Sequence, residues 1–473
     1  MASPNIAFDT IPASLRKPGR YFEFNNKLAV RTLPNNKQRV LIIAQMLASG
    51  TAAANQIVQV FDAETAAALF GRGSQAHRMV ANAIQANPYV SLFVMPIADS
   101  GTGVAATATV TVTGTATANG SVTVTIGDDD VVVPVTSADA QNAIAANIKA
   151  AIDAYINTPV SRSVAANVVT LTALNKGTVG NNLRLAATSG APGVAVAVTA
   201  FAGGLNDPAL TTPLANAFPS SYEIYCVPYA DATSLGALKT HLSNVSNAIE
   251  QRGAIGVYAT VGTLSAATTL AAALNSERLT GGFLKNGYTP QEEMAAAYAA
   301  MIAFEEDPAR PLNTLTLTGV RVPLISDRLT RTEQESCLYN GVTPFEWQPG
   351  EVVGIVRAIT TYTVNAASVA DVSWLDLTTI RTMEYVRKAC RERISLRFPR
   401  EKLSDKTAQR VRSELIDVLL KIEELEIIEK VQDNLPGLIV ERDLQNVNQL
   451  NAKIPTDVVN GLHIFAGRID LLL

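Results

Sequence analysis

The sequence predicts an α/β (α+β) multidomain protein: a discontinuous α/β body with an inserted β-rich domain and extended N- and C-terminal arms. Three observations predict it. Residues 38–97 alternate continuous apolar strands ("QRVLIIAQML", "YVSLFVMPIA") with a helical stretch ("DAETAAALFG"), the pattern of a parallel sheet buried on both faces. The alternation resumes at 222–277 with "YEIYCVPY", "SLGALKTHLSNVSNAIEQRG", "AIGVYAT" and "LSAATTLAAALNSE". In between, residues 101–206 alternate Thr with Val or Ala and carry few large side chains.

Taken in order, Pro4, Pro12, Pro18 and Pro34 lack amide donors and bias the residue before each toward extended conformations. Residues 1–36 therefore read as an arm with one strand-like piece, "YFEFN". Residues 37–100 and 207–325 make up the body. The Thr-rich stretch 101–206 reads as hairpins of a thin β domain with one helix, "SADAQNAIAANIKAAIDAYI", exposed on the outside of whatever the protein builds. Residues 326–462 hold charged helices, and 463–473, "HIFAGRIDLLL", are apolar to the last residue. Chain ends are ordinarily polar and frayed. This one is expected to pair as a strand with a sheet edge, in its own subunit or a neighbour's.

At 473 residues with a formal net charge of -4, the chain has room for about three domains and lacks the basic balance of a dedicated nucleic-acid binder. Cys226, Cys337 and Cys390 are scattered without paired spacing, which fits reduced thiols in a cytoplasm-like setting. The start lacks a signal-peptide pattern and no apolar run approaches the ~20 residues that span a bilayer, so the chain is expected to stay soluble.

Catalytic chemistry has little to stand on. His77, His241 and His463 are far apart, with no metal-ligand or acid/base spacing around them. "FGRGSQAH" (70–77) has Gly71 and Gly73 but no Walker lysine and no third glycine, so a turn after a helix is favoured over a phosphate loop. "GDDD" (127–130) could chelate a hard cation. It also lies between two alternating runs, where Gly and Asp are ordinary hairpin-turn residues, and the turn is the favoured reading. No Ser, Cys or Lys sits in a nucleophile context. No catalytic, cofactor-binding or metal-binding residue is expected.

Charge is the remaining feature. "RTMEYVRKACRERISLRFPREKL" (381–403) sets eight Lys or Arg against three Glu. At 100° per residue, Met383, Val386, Cys390 and Ile394 share one arc, while Arg381, Arg387, Lys388 and Arg391 share the next with Glu384. "SELIDVLLKIEELEIIEK" (413–430) has the opposite sign, with Glu414, Asp417, Glu423, Glu424, Glu426 and Glu429. Both segments could simply be solvated faces. Alternatively, opposite surfaces meet between copies, at ~0.2–1 kcal/mol per exposed pair, which matters when repeated along a polymer. An extended arm, an apolar end, complementary charge and no catalytic set together point to a self-assembling structural protein.

Several stretches resemble the contractile tail sheath proteins of bacteriophages, the Mu-like group in particular. They are "IPASLRKPGRYFEFNN" (11–26), "LFGRGSQAHRM" (69–79), "DPARPL" (307–312), "RAITTYTVNAASVADVSWLDL" (357–377), "RFPREKLSD" (397–405) and "IPTDVVNGLHIFAGRIDLLL" (454–473). The resemblance implies a virion tail-sheath subunit, assembled in the host cytoplasm, that stacks in six-membered rings around an inner tube. It implies contraction that drives the tube through the host envelope without nucleotide hydrolysis or a cofactor.

The implied partners are other copies of the chain, the inner tail tube protein, and tail terminator and baseplate proteins, with no direct nucleic-acid contact and no membrane insertion. The resemblance assigns subunit linking to arms containing Gly19, Tyr21, Glu23 and Phe24 at one end and Ile464, Phe465, Ile469 and Leu471 at the other. It puts the C-terminal domain nearest the tube and the insertion outside. Arg381, Arg387, Lys388 and Arg391, with Glu423 and Glu424, are then expected to face the tube or a neighbouring subunit. The alternatives are the sheath of a phage-derived bacteriocin or secretion machine, a nucleotide-using α/β enzyme, and a surface adhesin.

Overall fold

The computed structural model describes residues 16–22 and 33–472. The described residues divide into two compact units: residues 36–385 with 426–429 and 457–472, and a smaller one made of 386–425 and 430–456 with 16–22 and 33–35.

The larger unit opens with β1 (Arg39–Gln45), β2 (Val58–Gln59), helices α1 (Ala63–Phe70) and α2 (Gln75–Ala86), and β3 (Ser91–Ile97). The chain then leaves the sheet. It builds β4 (Thr107–Gly114), β5 (Gly120–Ile126), β6 (Asp129–Val135), α3 (Gln141–Ala154), β7 (Val160–Ala165), β8 (Val168–Ala173), β9 (Leu185–Ser189) and β10 (Val194–Ala202). It returns through α4 (Thr211–Ala217), β11 (Ile224–Cys226), α5 (Ala232–Ser246), β12 (Ile255–Thr260), α6 (Leu264–Leu274), β13 (Leu279–Phe283), α7 (Gln291–Phe304), α8 (Arg331–Tyr339), β14 (Thr343–Gln348) and β15 (Val352–Ile355).

Eight of these strands form one sheet in the order β15-β14-β13-β12-β11-β1-β3-β2. The inner six pair in parallel, and β2 and β15 close the edges antiparallel. The alternation within β1 explains why the sheet is covered on both sides: Val40, Ile42 and Ala44 join the core under α2 and α7, whereas Leu41 and Ile43 join the core under α4 and α5. The sheet does not stop at residue 325 as the sequence suggests. β14 and β15 extend it to 355, because Thr343 and Pro344 pair with Gly282 and Phe283 and the following hairpin buries Phe345, Val353 and Ile355.

That extension depends on Gly282. A Cβ there would lie 2.4 Å from the Phe345 ring, which is buried against Tyr298 with ring centroids 5.2 Å apart. Gly282→Ala is expected to destabilise the larger unit by about 1–3 kcal/mol, read by urea denaturation, because the ring has no space to yield into.

The excursion between β3 and β11 forms two sheets, β10-β4-β8-β7 and β6-β5-β9, closed over α3. Its inward residues are small and β-branched: Val110, Val112, Val122, Val124, Val131 and Val133 face Ile144 and Ile148 of the helix.

Beyond the sheet come α9 (Leu377–Arg397), α10 (Asp405–Glu424), β16 (Ile428–Glu429), α11 (Val431–Asn434), β17 (Ile439–Arg442), β18 (Leu450–Lys453) and β19 (Asp457–Val458). α9 contributes residues 377–385 to the larger unit and 386–397 to the smaller. In the smaller unit α10 buries Val411, Leu415, Val418, Leu419 and Ile422, a helical stripe. No helix among the described residues is long and apolar enough to cross a membrane.

Candidate assembly interface

Among the described residues the last one anchored to the body is His463, whose Nδ1 lies 2.9 Å from Asn313 Nδ2 and whose Nε2 lies 3.5 Å from Asp376. Burial, then Arg357, lowers its pKa from the ordinary histidine value, and Asp376 acts the other way. From Ile464 the chain carries no regular structure through Leu472, and Ile464, Phe465, Ile469, Leu471 and Leu472 are each at least 80% exposed. The expected strand at 463–473 is therefore absent among the described residues, and the arm begins one residue later. An extended segment becomes a strand only when a ladder accepts its amides, and among the described residues none does.

At the other end, Gly19 and Tyr21 are exposed, with Tyr21 Oη donating to the Lys17 carbonyl at 3.1 Å. Glu23 and Phe24 lie outside the described residues.

In the smaller unit β17 and β18 form a two-stranded antiparallel ribbon, Ile439 opposite Lys453 through Arg442 opposite Leu450. Asp443 shapes its loop by accepting from the Gln445 and Asn446 amides and from Asn451 Nδ2, which hold its carboxyl below the ordinary range. Arg412 ties its base to α10 by donating to the Leu435 and Leu438 carbonyls, both at 3.0 Å. Neither outer edge of the ribbon pairs with another strand among the described residues. A ribbon of two strands is marginal in water, and its open edges are templates for a further strand. Sequence reasoning missed it, although "LIVER" and "LNAK" either side of "DLQNVNQ" carry a hairpin signal.

The cationic flank is used differently from expectation. Arg381 is buried: its Nη2 donates to the Ile302 and Glu305 carbonyls at the C-terminal end of α7. Burial pushes its pKa down to about 10 against the pull of Glu305 and Asp307. It is turned into its own chain, because α9 starts inside the larger unit's core and a helical wheel cannot tell where a helix leaves a core.

Arg393, which the sequence did not single out, is buried as well. It donates to Glu414 (3.1 Å) and Asp417 (2.7 Å), while Lys421 reaches Asp417 at 3.3 Å. Part of the complementary charge is thus consumed inside one chain. Glu423 accepts from the Val431 amide at 2.9 Å, a local bond rather than an outward one. Arg387 and Lys388 are half-buried, Lys388 donating to the Asn35 carbonyl at 2.8 Å. Arg391 and Glu424 are exposed, as are Arg400, Lys402, Lys406 and Arg410 around the turn between α9 and α10.

The crevice beyond the carboxyl end of β1, where open α/β sheets ordinarily bind ligands, is filled by the insertion. Gln45 Nε2 donates to the Lys176 carbonyl (2.8 Å) and to Asp99 (2.7 Å). Amides along "FGRGSQAH" are occupied too: Gly73 N donates to His77 Nδ1, Ser74 N to the Gly71 carbonyl, Gln75 N to Asn175 Oδ1 and His77 N to Ser74 Oγ. A Cβ on Gly73 would lie 2.6 Å from the Thr158 carbonyl, so the glycine serves close approach of the insertion, not of a phosphate.

"GDDD" is the β5–β6 turn, and its carboxylates diverge. Asp128 accepts from Thr289 (2.8 Å), Asp129 lies 3.6 Å from Arg78, and Asp130 takes both ends of Arg321. Burial holds His77 and His241 neutral, each pKa lowered to about 4, and His241 packs edge-on against Tyr225.

Residues 203–361 match the phage tail sheath protein central domain, and residues 369–471 match the phage tail sheath C-terminal domain. Over 99% of its length the chain is 32% identical to the Mu-like prophage FluMu tail sheath protein of Haemophilus influenzae, which it covers completely. Its fold is similar to the crystal structure of a sheath tail protein from Desulfitobacterium hafniense, with a TM-score of 0.52, 15% identity, and 94% of this chain and 97% of that one covered. It is also similar to the sheath of an extracellular contractile injection system in the contracted state, with a TM-score of 0.50, 11% identity, and coverage of 97% and 98%.

Proposed function

Because this chain belongs to the phage tail sheath family and is a subunit of a contractile sheath, we propose that its copies are linked by exchanged arms, residues 464–472 of one adding a strand to the β17–β18 ribbon of another. The observation that carries the proposal is the bare apolar tail beyond His463, in a chain that also holds a ribbon whose two outer edges are unpaired among the described residues.

The energetics suit a tether. Each large apolar side chain gains about 1.5–3 kcal/mol on full burial. Ordering costs about 1–2 kcal/mol per backbone residue, so a lone tail binds weakly. Subunits already held side by side supply a high effective concentration, and the link then persists while they rotate or slide.

In this reading the subunits stack as six-membered rings around an inner tube and contract to drive it through an envelope, with tail terminator and baseplate proteins at the ends and assembly in the host cytoplasm. The region from α9 onward faces the tube, through Arg387, Lys388, Arg391 and the basic turn at 400–410, and the domain at 101–206 faces outward. The neighbour with a contracted sheath supports the contraction. A phage tail and a phage-derived bacteriocin or secretion device fit equally. A nucleotide-using enzyme is disfavoured, because the insertion fills the crevice that would hold the nucleotide.

Electron microscopy of full-length protein made together with its tube protein tests the reading, and the expected result is regular striated sheaths on tubes. Reversing Arg387 and Arg391 together to Glu is expected to reduce sheathed tubes at least tenfold without unfolding the chain. Normal sheathing by the double variant would remove the charged face from the account.

A further inference from the structure

The inserted domain meets the α/β body through charged and polar groups. Its apolar core is a cluster of its own, and the body's clusters take from it only Val179. Arg321 pairs with Asp130 and stacks on Tyr288, whose ring Arg184 of the insertion also covers, at 4.6 and 4.0 Å.

Two carboxyls are half-buried at this seam, one from each side. Asp128, at the hairpin tip, lies over the start of α7 and accepts from Thr289. Glu292, in the first turn of α7, lines a narrow crevice with Pro159, Ala173, Gly180 and Leu183 of the insertion. Among the described residues neither has an ion pair. The nearby cations are engaged: Arg78 of α2 by Glu293 (2.5 Å) and Asp129 (3.6 Å), and Arg321 by Asp130. Lys176 borders the crevice, and His77 is neutral above about pH 4. Closing the seam thus brings Asp128, Asp129, Glu292 and Glu293 together beside two guanidinium groups, Arg78 and Arg321, that already hold carboxylate partners.

We propose that Asp128 and Glu292 form a proton-dependent latch, which closes the inserted domain on the body when both are uncharged and loosens it when they ionise. Burial, reinforced by Glu293, pushes Asp128 up to about 7 and Glu292 up to about 8. With the seam open both return toward the ordinary carboxylate range of about 4. The closed form therefore keeps two protons that the open form releases. Closure is strongest below about pH 4, weakens as pH rises by roughly tenfold per unit per carboxyl, and levels off above about pH 8. The Asp130–Arg321 pair does not oppose this between pH 6 and pH 8.5, since that carboxyl is held below the ordinary range by Arg321 and is ionised at both.

Hydrogen exchange of the full-length chain at pH 6 and pH 8.5, corrected for intrinsic rates, tests the latch at connectors 98–106 and 203–209 and at 287–293. Protection there is expected to fall at least a hundredfold, while amides of β1 stay protected. In Asp128→Asn/Glu292→Gln the fall should largely vanish; Glu292→Gln should retain about a tenfold fall and Asp128→Asn somewhat less than a hundredfold one. Equal protection at both pH values, the same fall in the double variant, or parallel loss in β1 would overturn the proposal.

Discussion

Ending the chain at His463 is expected to abolish polymerisation while leaving both units folded. The deletion removes five large apolar side chains that are almost wholly exposed, and among the described residues the side-chain ion pair it breaks is the local one between Arg468 and Asp470. The anchor formed by His463 with Asn313 and Asp376 stays. The thermal midpoint should be unchanged, since nothing buried is lost. Sedimentation should show monomer at concentrations where the full chain forms sheath, a loss of at least a hundredfold in assembled material. Long sheaths from the truncated chain would contradict the arm assignment.

The largest stability effect is expected at Glu293. Its side chain is 3% exposed and holds Arg78 at 2.5 Å and Asn82 Nδ2 at 2.6 Å, joining α7 to α2 beneath the insertion. Glu293→Ala leaves the buried Arg78 charge with only Asp129, 3.6 Å away. Removing one partner of such a pair costs about 3–5 kcal/mol, mostly because the other stays buried and uncompensated. Replacing Arg78 and Glu293 together by apolar residues of similar volume should cost far less. Urea denaturation reads the difference, followed on the larger unit's transition because two units need not unfold together. Equal costs for the single and double changes would mean the pair acts through packing rather than charge.

The body was legible because burial on both faces leaves β1, β3 and β12 as unbroken apolar runs with helices between them. The hairpins around "GDDD" were legible from Thr-Val alternation and turn residues. β14 and β15 were not: "TPFEWQ" contains a proline, and it joins the sheet through partners more than sixty residues away.

The candidate site was legible where chemistry is local and illegible where it is not. An apolar chain end stands out in any sequence. The fate of Arg381 and Arg393 depends on which stretch of α9 is covered, and by what. Arg381 reads as outward charge yet caps α7, whereas Arg393 reads as one basic residue among eight yet pairs with both acids of α10.

The most direct measurement is a cryo-electron microscopy map of the assembled sheath at a resolution that separates strands. The account predicts residues 464–472 of one copy hydrogen-bonded as a strand along the β17–β18 ribbon of another. A ribbon that remains two-stranded in the polymer, or a tail folded back on its own subunit, would contradict it.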